Sequence, residues 1–193
     1  MIILNTYLFR INNLYKGEKS LRDGEVVSSP AATGDAGGHF EQHVDAFSLA
    51  LLLVGATPPI LTNTSVAEVC FQTEHLGWKT DDLLIVGETG AGVRRKLAVQ
   101  VKRNFTVSAS NADCRKTIEG FWGDFQANDR FNVSEDRLAV ITQHGTSTLL
   151  HSFNSLLECA RASVDADDFH HRVGLEGYIS KKARQQNEAI KSI

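Results

Sequence analysis

The sequence predicts an α/β domain in which a central mixed β-sheet is flanked by helices, with core elements in the order α-β-β-β-α-β. Three observations carry this. Apolar residues recur at helical spacing in three segments, and four shorter segments alternate or run apolar as strands do. A loop containing Gly90 and Gly92 joins two of those strands into a hairpin. With 193 residues, 42% of them hydrophobic, the chain is long enough for one ordinary core.

The opening MIILNTYLF lacks a basic leader region, is too short to span a bilayer, and is followed at once by Arg10. Residues 16–38 are rich in Gly, Ser, Asp and Lys without apolar periodicity, so residues 1–36 read as a flexible lead-in. The folded domain then spans 37–165. Its first helix carries Phe40, Val44, Phe47, Leu51 and Val54 at helical spacing and ends at Gly55 and the Pro58-Pro59 pair. Ser65–Glu74 alternates and is rich in β-formers, which predicts a strand, and the hairpin from Thr80 to Lys102 follows.

A second helix is predicted from Ala112 to about Gln126, with Ile118, Phe121, Trp122 and Phe125 on its apolar stripe. Helical spacing makes these aromatics core rather than a base-stacking platform. Arg137–Thr142 reads as a short buried strand. A third helix, Leu149 to about Ala162, turns Leu150, Phe153, Leu156, Leu157 and Ala160 inward. Residues 166–193 offer few large apolar groups; the basic, helical YISKKARQQNEAIKSI suggests a connector to a further module.

The hairpin holds the chemistry. If its turn centres on Ala91, residues equidistant from Ala91 face each other, which sets Asp82 opposite Gln100. Period-two alternation puts Leu97, Val99 and Val101 on one face of the second strand and Ala98, Gln100 and Lys102 on the other. Asp82 shares the face of Gln100 and Lys102, and Asp81 takes the opposite one. A one-residue bulge would exchange the two acids.

A net charge of −3 and a pI near 6.2 give no global attraction to nucleic acid, so polyanion binding must come from local clusters. Arg94, Arg95, Lys96, Lys102 and Arg103 form one. Cys70, Cys114 and Cys159 are far apart in apolar surroundings, as expected of reduced thiols in a cytoplasmic protein. No apolar run reaches membrane-spanning length.

An Asp and a Gln-x-Lys on adjacent strands, preceded by a helix bearing an acid and followed by another helix, resembles the PD-(D/E)XK nuclease superfamily. The resemblance covers roughly Gly37 to Thr142 and implies a restriction-endonuclease-like core. GGHFEQHV on the first helix is similar to the Mrr-type pattern, in which a Glu completes the metal site, here Glu41; Asp45, one turn on, could substitute for it. VQVKRNFTVSASNADCRKTIEGFWGDF is similar to nuclease domains at the N-terminus of bacterial antiphage effectors, including STAND-ATPase and cyclic-nucleotide-activated systems.

The resemblance implies a Mg²⁺-dependent DNA endonuclease of low sequence specificity, with Mn²⁺ as a substitute metal. Asp82, Gln100 and Glu41 would hold the ion, and Lys102 would orient the attacking water and offset charge on the phosphorane. Arg94, Arg95, Lys96 and Arg103 would contact the backbone of double-stranded DNA. A homo-oligomer or a fused sensor or ATPase module would switch such an effector on. Gln100 stands where the family has Glu or Asp; its carbonyl is a hard-oxygen ligand without charge, so metal affinity falls below that of a three-carboxylate site.

Two readings compete. One is a nucleic-acid-binding or assembly module on the same fold whose catalytic site has lapsed, with Gln100 as its sign. The other is a zinc hydrolase or deaminase on His39 and His43, spaced i and i+4, although neither P-C-x-x-C nor H-E-x-x-H is present. His170 and His171 read as solvated residues of a loop or helix end. Gly90-x-Gly92 is no phosphate loop, because a strand follows it and no Gly-Lys-Ser/Thr occurs.

Overall fold

Five consecutive buried residues, Leu97 to Val101, mark the strand at the centre of the sheet, because a strand covered on both faces has no polar alternation to show. The structure, a computed structural model, describes residues 6–10, 36–144 and 147–193. Its sheet contains β1 (Thr6–Arg10), β2 (Ser65–Phe71), β3 (Leu83–Glu88), β4 (Arg94–Asn104) and β5 (Arg137–His144) in the spatial order β1-β5-β4-β3-β2. β2, β3 and β4 pair antiparallel, whereas β5 runs parallel to both β4 and β1. The sheet is therefore mixed and open.

The hairpin register is the predicted one: Leu83 pairs with Val99, Ile85 with Leu97 and Glu88 with Arg94. The turn closes through Thr89 N–H to Val93 O at 2.9 Å and Gly92 N–H to Thr89 O at 2.9 Å. Gly92 takes a φ of 77°, a left-handed conformation that glycine adopts without steric cost.

α1 (Ala36–Leu53) lies over one face of the sheet. Phe40 and Val44 pack there with Leu83, Ile85, Leu97, Val99 and Val101. The predicted stripe fades toward the helix end: Phe47 is half-exposed, and Val54 lies beyond the last turn and is exposed. On the other face, α2 (Ala112–Phe125) and α3 (Ser147–Ala162) cover Leu84, Val86, Ala98, Leu138 and Val140 with Ile118, Phe121, Phe153, Leu156 and Leu157. Trp122 departs from the prediction: it is 39% exposed and stacks on Phe125 with ring centroids 5.9 Å apart.

Two expected boundaries change. Thr6–Arg10, assigned to the lead-in, pairs with Leu138–Thr142 as an edge strand; five residues without a flanking turn signal leave little pattern to detect. The rest of the expected lead-in, residues 1–5 and 11–35, lies outside the described residues. The expected connector 166–193 is part of the core. α4 (Ala166–Gly174) and α5 (Lys181–Lys191) bring Phe169, Val173 and Ala183 into the cluster that holds Phe153 and Leu157, and Ile179 joins them from the link between the two helices. α5 packs on α3 and buries Ala183, Gln186 and Asn187, a face of small and amide side chains that apolar periodicity overlooks. Among the described residues, no helix is long and apolar enough to cross a membrane.

Candidate active site

The end of β2, the start of β3 and the end of β4 lie together on one side of the sheet, and the residues at and beside these strand ends carry the polar groups. Continuing the β3–β4 register by one step sets Asp82 opposite Gln100, and Gln100 donates its Nε2–H to Asp82 Oδ2. The same oxygen accepts the Val101 backbone N–H at 2.6 Å and lies 3.8 Å from Lys102 Nζ. Asp82 is thus the acid that meets Gln100 and Lys102. Asp81 bonds instead through its backbone, accepting Thr73 N–H at 2.6 Å.

Glu41 reaches this edge from α1. Its Oε1 accepts Nε2–H of Gln72 at 2.6 Å, and Gln72 donates its own backbone N–H to Asp82 O at 3.1 Å. Partial burial and the negative charge of Asp82 raise the Glu41 pKa, while the bond from Gln72 and the Lys102 ammonium oppose the rise. One turn on, Asp45 is pushed up to about 6 by burial, then by Glu41 and Asp82, and its Oδ1 is buried without a hydrogen-bond partner. Three carboxylates repel one another here, and one of them has an unanswered oxygen.

That repulsion has a pH signature. An acid whose folded-state pKa lies above its unfolded value keeps its proton more tightly when folded, so stability falls as pH rises from about 4 to about 6. Asp45→Asn removes this penalty. Without divalent metal, the melting temperature of the variant relative to the parent is expected to be higher at pH 7.5 than at pH 4.5, measured by thermal unfolding at both pH values.

A buried carboxylate on α2 holds the strand entrance in place. Asp124, 1% exposed, accepts the backbone N–H groups of Lys79 and Thr80 at 2.8 and 2.7 Å, immediately before Asp81 and Asp82. Gly120 eases the close approach, since a Cβ there would sit 3.1 Å from Lys79 O. Nothing in the sequence marks Asp124 for this role except its place three residues after Phe121, on the buried side of α2.

The predicted backbone contacts divide. Arg103 follows Lys102 at this edge, and its Nε–H donates to Gln143 Oε1 at 3.3 Å. Arg94, Arg95 and Lys96 sit at the other end of β4; at about 3.4 Å per residue, Lys96 is roughly 20 Å along the strand from Lys102. They are also engaged. Arg94 pairs with Glu68 at 2.5 Å, Arg95 pairs with Glu135 at 2.5 Å, and Lys96 Nζ donates to Arg130 O above the Trp78 ring.

The histidines are dispersed. His39 and His43 lie exposed on α1, with His43 Nδ1 2.5 Å from His39 O, and His170 and His171 are exposed on α4, where the His170 ring meets Phe169 edge-on. The cysteines are free; burial raises the pKa of all three thiols.

The donor chemistry at the strand ends fits a hard divalent cation. The Glu41 and Asp45 carboxyls, whose pKa values burial and neighbouring carboxylates raise, and the unpartnered Asp45 oxygen are what a cation relieves. Among the described residues, however, no three His, Cys, Asp or Glu side chains form a group able to hold a metal by themselves. A site at this edge therefore needs the Gln100 amide, which presents Oε1 in place of Nε2 after a half-turn about its last bond. No family model matches the chain, and neither a curated protein nor a solved structure does.

Proposed function

We propose that the chain is a Mg²⁺-dependent endonuclease that hydrolyses DNA phosphodiester bonds with little sequence specificity, on a restriction-endonuclease-like core. The observation that supports this best is the meeting of Gln100 and Lys102 on a single oxygen of Asp82, with Glu41 of α1 near enough to feel the charges of Asp82 and Lys102. Asp82, Glu41 and the Gln100 carbonyl would hold the ion. Once bound, it would supply Lewis acidity at the phosphoryl oxygen and lower the pKa of a water.

Lys102, beside Asp82, would orient the attacking water and balance charge that develops on the phosphorane oxygens. Arg103 would contact the neighbouring DNA backbone; Arg94 and Arg95, each ion-paired, and Lys96, bonded to a backbone carbonyl, would touch a duplex only about six phosphates further along a strand. The role as effector of a bacterial antiphage protein, switched on by self-assembly or by a fused sensor or ATPase module, rests on the likeness of residues 99–125 to such domains.

Mn²⁺ binding followed by loss of its free-ion EPR signal tests the site. The parent is expected to bind Mn²⁺, and Asp82→Ala to bind more than about 100-fold more weakly, beyond the range seen for outer-shell partners. A second reading, a lapsed nucleic-acid-binding or assembly module, draws on the neutral Gln100 and the lack of a three-acid group among the described residues. Bound DNA without Mn²⁺ binding would favour it.

A further inference from the structure

We infer that Gln72 is a positioning residue that holds the Glu41 carboxylate toward the ion Glu41 and Asp82 would share; this rests on the reading of the site given above. Gln72 bonds to both acids. Its side-chain Nε2–H donates to Glu41 Oε1 at 2.6 Å, and its backbone N–H donates to Asp82 O at 3.1 Å. Its own carbonyl lies 2.8 Å from His75 Nδ1. One residue therefore ties the acid of α1 to the acid that opens β3.

The backbone at Gln72 is the second observation. It terminates β2 with φ 50° and ψ 59°, a left-handed conformation uncommon for a side-chain-bearing residue and disfavoured by contact between Cβ and the backbone. Glycine would relieve that strain, and asparagine tolerates it better than glutamine. A long amide kept at a position that suits glycine points to a task for the amide, and strain of this kind gathers where a side chain must be aimed. The task on the page is Glu41. A Glu side chain on a helix has three rotatable bonds, and the bond from Gln72 selects one direction among them for the partly buried Glu41.

The inference separates stability from metal binding. Gln72→Gly should melt at or above the parent temperature, because the strain is gone, while its Mn²⁺ dissociation constant rises about tenfold, as for loss of an outer-shell partner. Gln72→Asn, one methylene too short to span to Glu41, should show the same weakening and decides the matter if the glycine variant melts lower. If the parent binds Mn²⁺, Asp82→Ala loses it, and both Gln72 variants bind within about twofold of the parent, Gln72 has no such role although the site stands. If the parent binds no Mn²⁺, the site itself is refuted and the inference falls with it.

Discussion

Lys102→Ala is expected to slow the nicking of supercoiled plasmid by about 10²–10³-fold, the cost of removing one preorganised charge from a phosphoryl-transfer site. The fold should be untouched. Lys102 is only partly buried, its ammonium lies 3.8 Å from Asp82 Oδ2, and the buried β4 positions Leu97, Val99 and Val101 point to the α1 face. Lys102→Arg is the informative companion. It keeps the charge but replaces a compact ammonium with a planar fork, so partial recovery of the rate would assign the effect to charge, and none would assign it to the placement of a single donor. Equal nicking by parent and Lys102→Ala would remove Lys102 from the mechanism.

The second large effect is on stability. Asp124→Ala strips the acceptor from two backbone N–H groups, of Lys79 and Thr80, at a position 1% exposed. Each buried donor left unsatisfied costs about 1–3 kcal/mol, and release of a desolvated carboxylate returns part of that, so a net loss of about 3 kcal/mol is expected. For a chain of this size that lowers the melting temperature by about 6–12 °C. Asp124→Asn, with one carbonyl oxygen to share, should lose roughly half as much. Because Thr80 leads directly into Asp81 and Asp82, the alanine variant should also weaken Mn²⁺ binding. A variant that melts within about 1 °C of the parent would mean that water or a shifted side chain replaces the carboxylate.

What the sequence reveals about this protein tracks how local each interaction is. The β3–β4 register and the Asp82–Gln100 juxtaposition were legible because the turn glycines and the alternation on β4 lie within one hairpin. The helical stripes of α2 and α3 were legible for the same reason. The Gln72–Glu41 bond joins residues 31 positions apart, and the left-handed turn that ends β2 at Phe71 has no glycine to announce it, so the strand was expected to run on to Glu74. Asp124 looks like one more charge on an amphipathic helix until the Lys79–Thr80 backbone is seen against it.

For the basic triplet, closeness in sequence does not carry over into space. Arg94, Arg95 and Lys96 stand close to Lys102 and Arg103 in sequence, but an extended strand converts that spacing into about 20 Å and gives each cation a structural partner. Likewise, a tail poor in large apolar residues reads as a connector, whereas Phe169, Val173 and Ala183 bury it in the main core. β1 pairs with β5 through its backbone ladder, which leaves no side-chain period in so short a segment.

We propose that the strand-end cluster of Asp82, Gln100, Lys102 and Glu41 cuts DNA with a divalent metal. The most direct test is incubation of the purified chain with supercoiled plasmid in Mg²⁺ or Mn²⁺, with EDTA as control, at protein concentrations high enough to favour self-assembly. Open-circular and linear products are expected that require metal, vanish with EDTA and are absent for Asp82→Ala. Plasmid that is bound but left supercoiled with either metal, or cleavage that persists in Asp82→Ala, would contradict it.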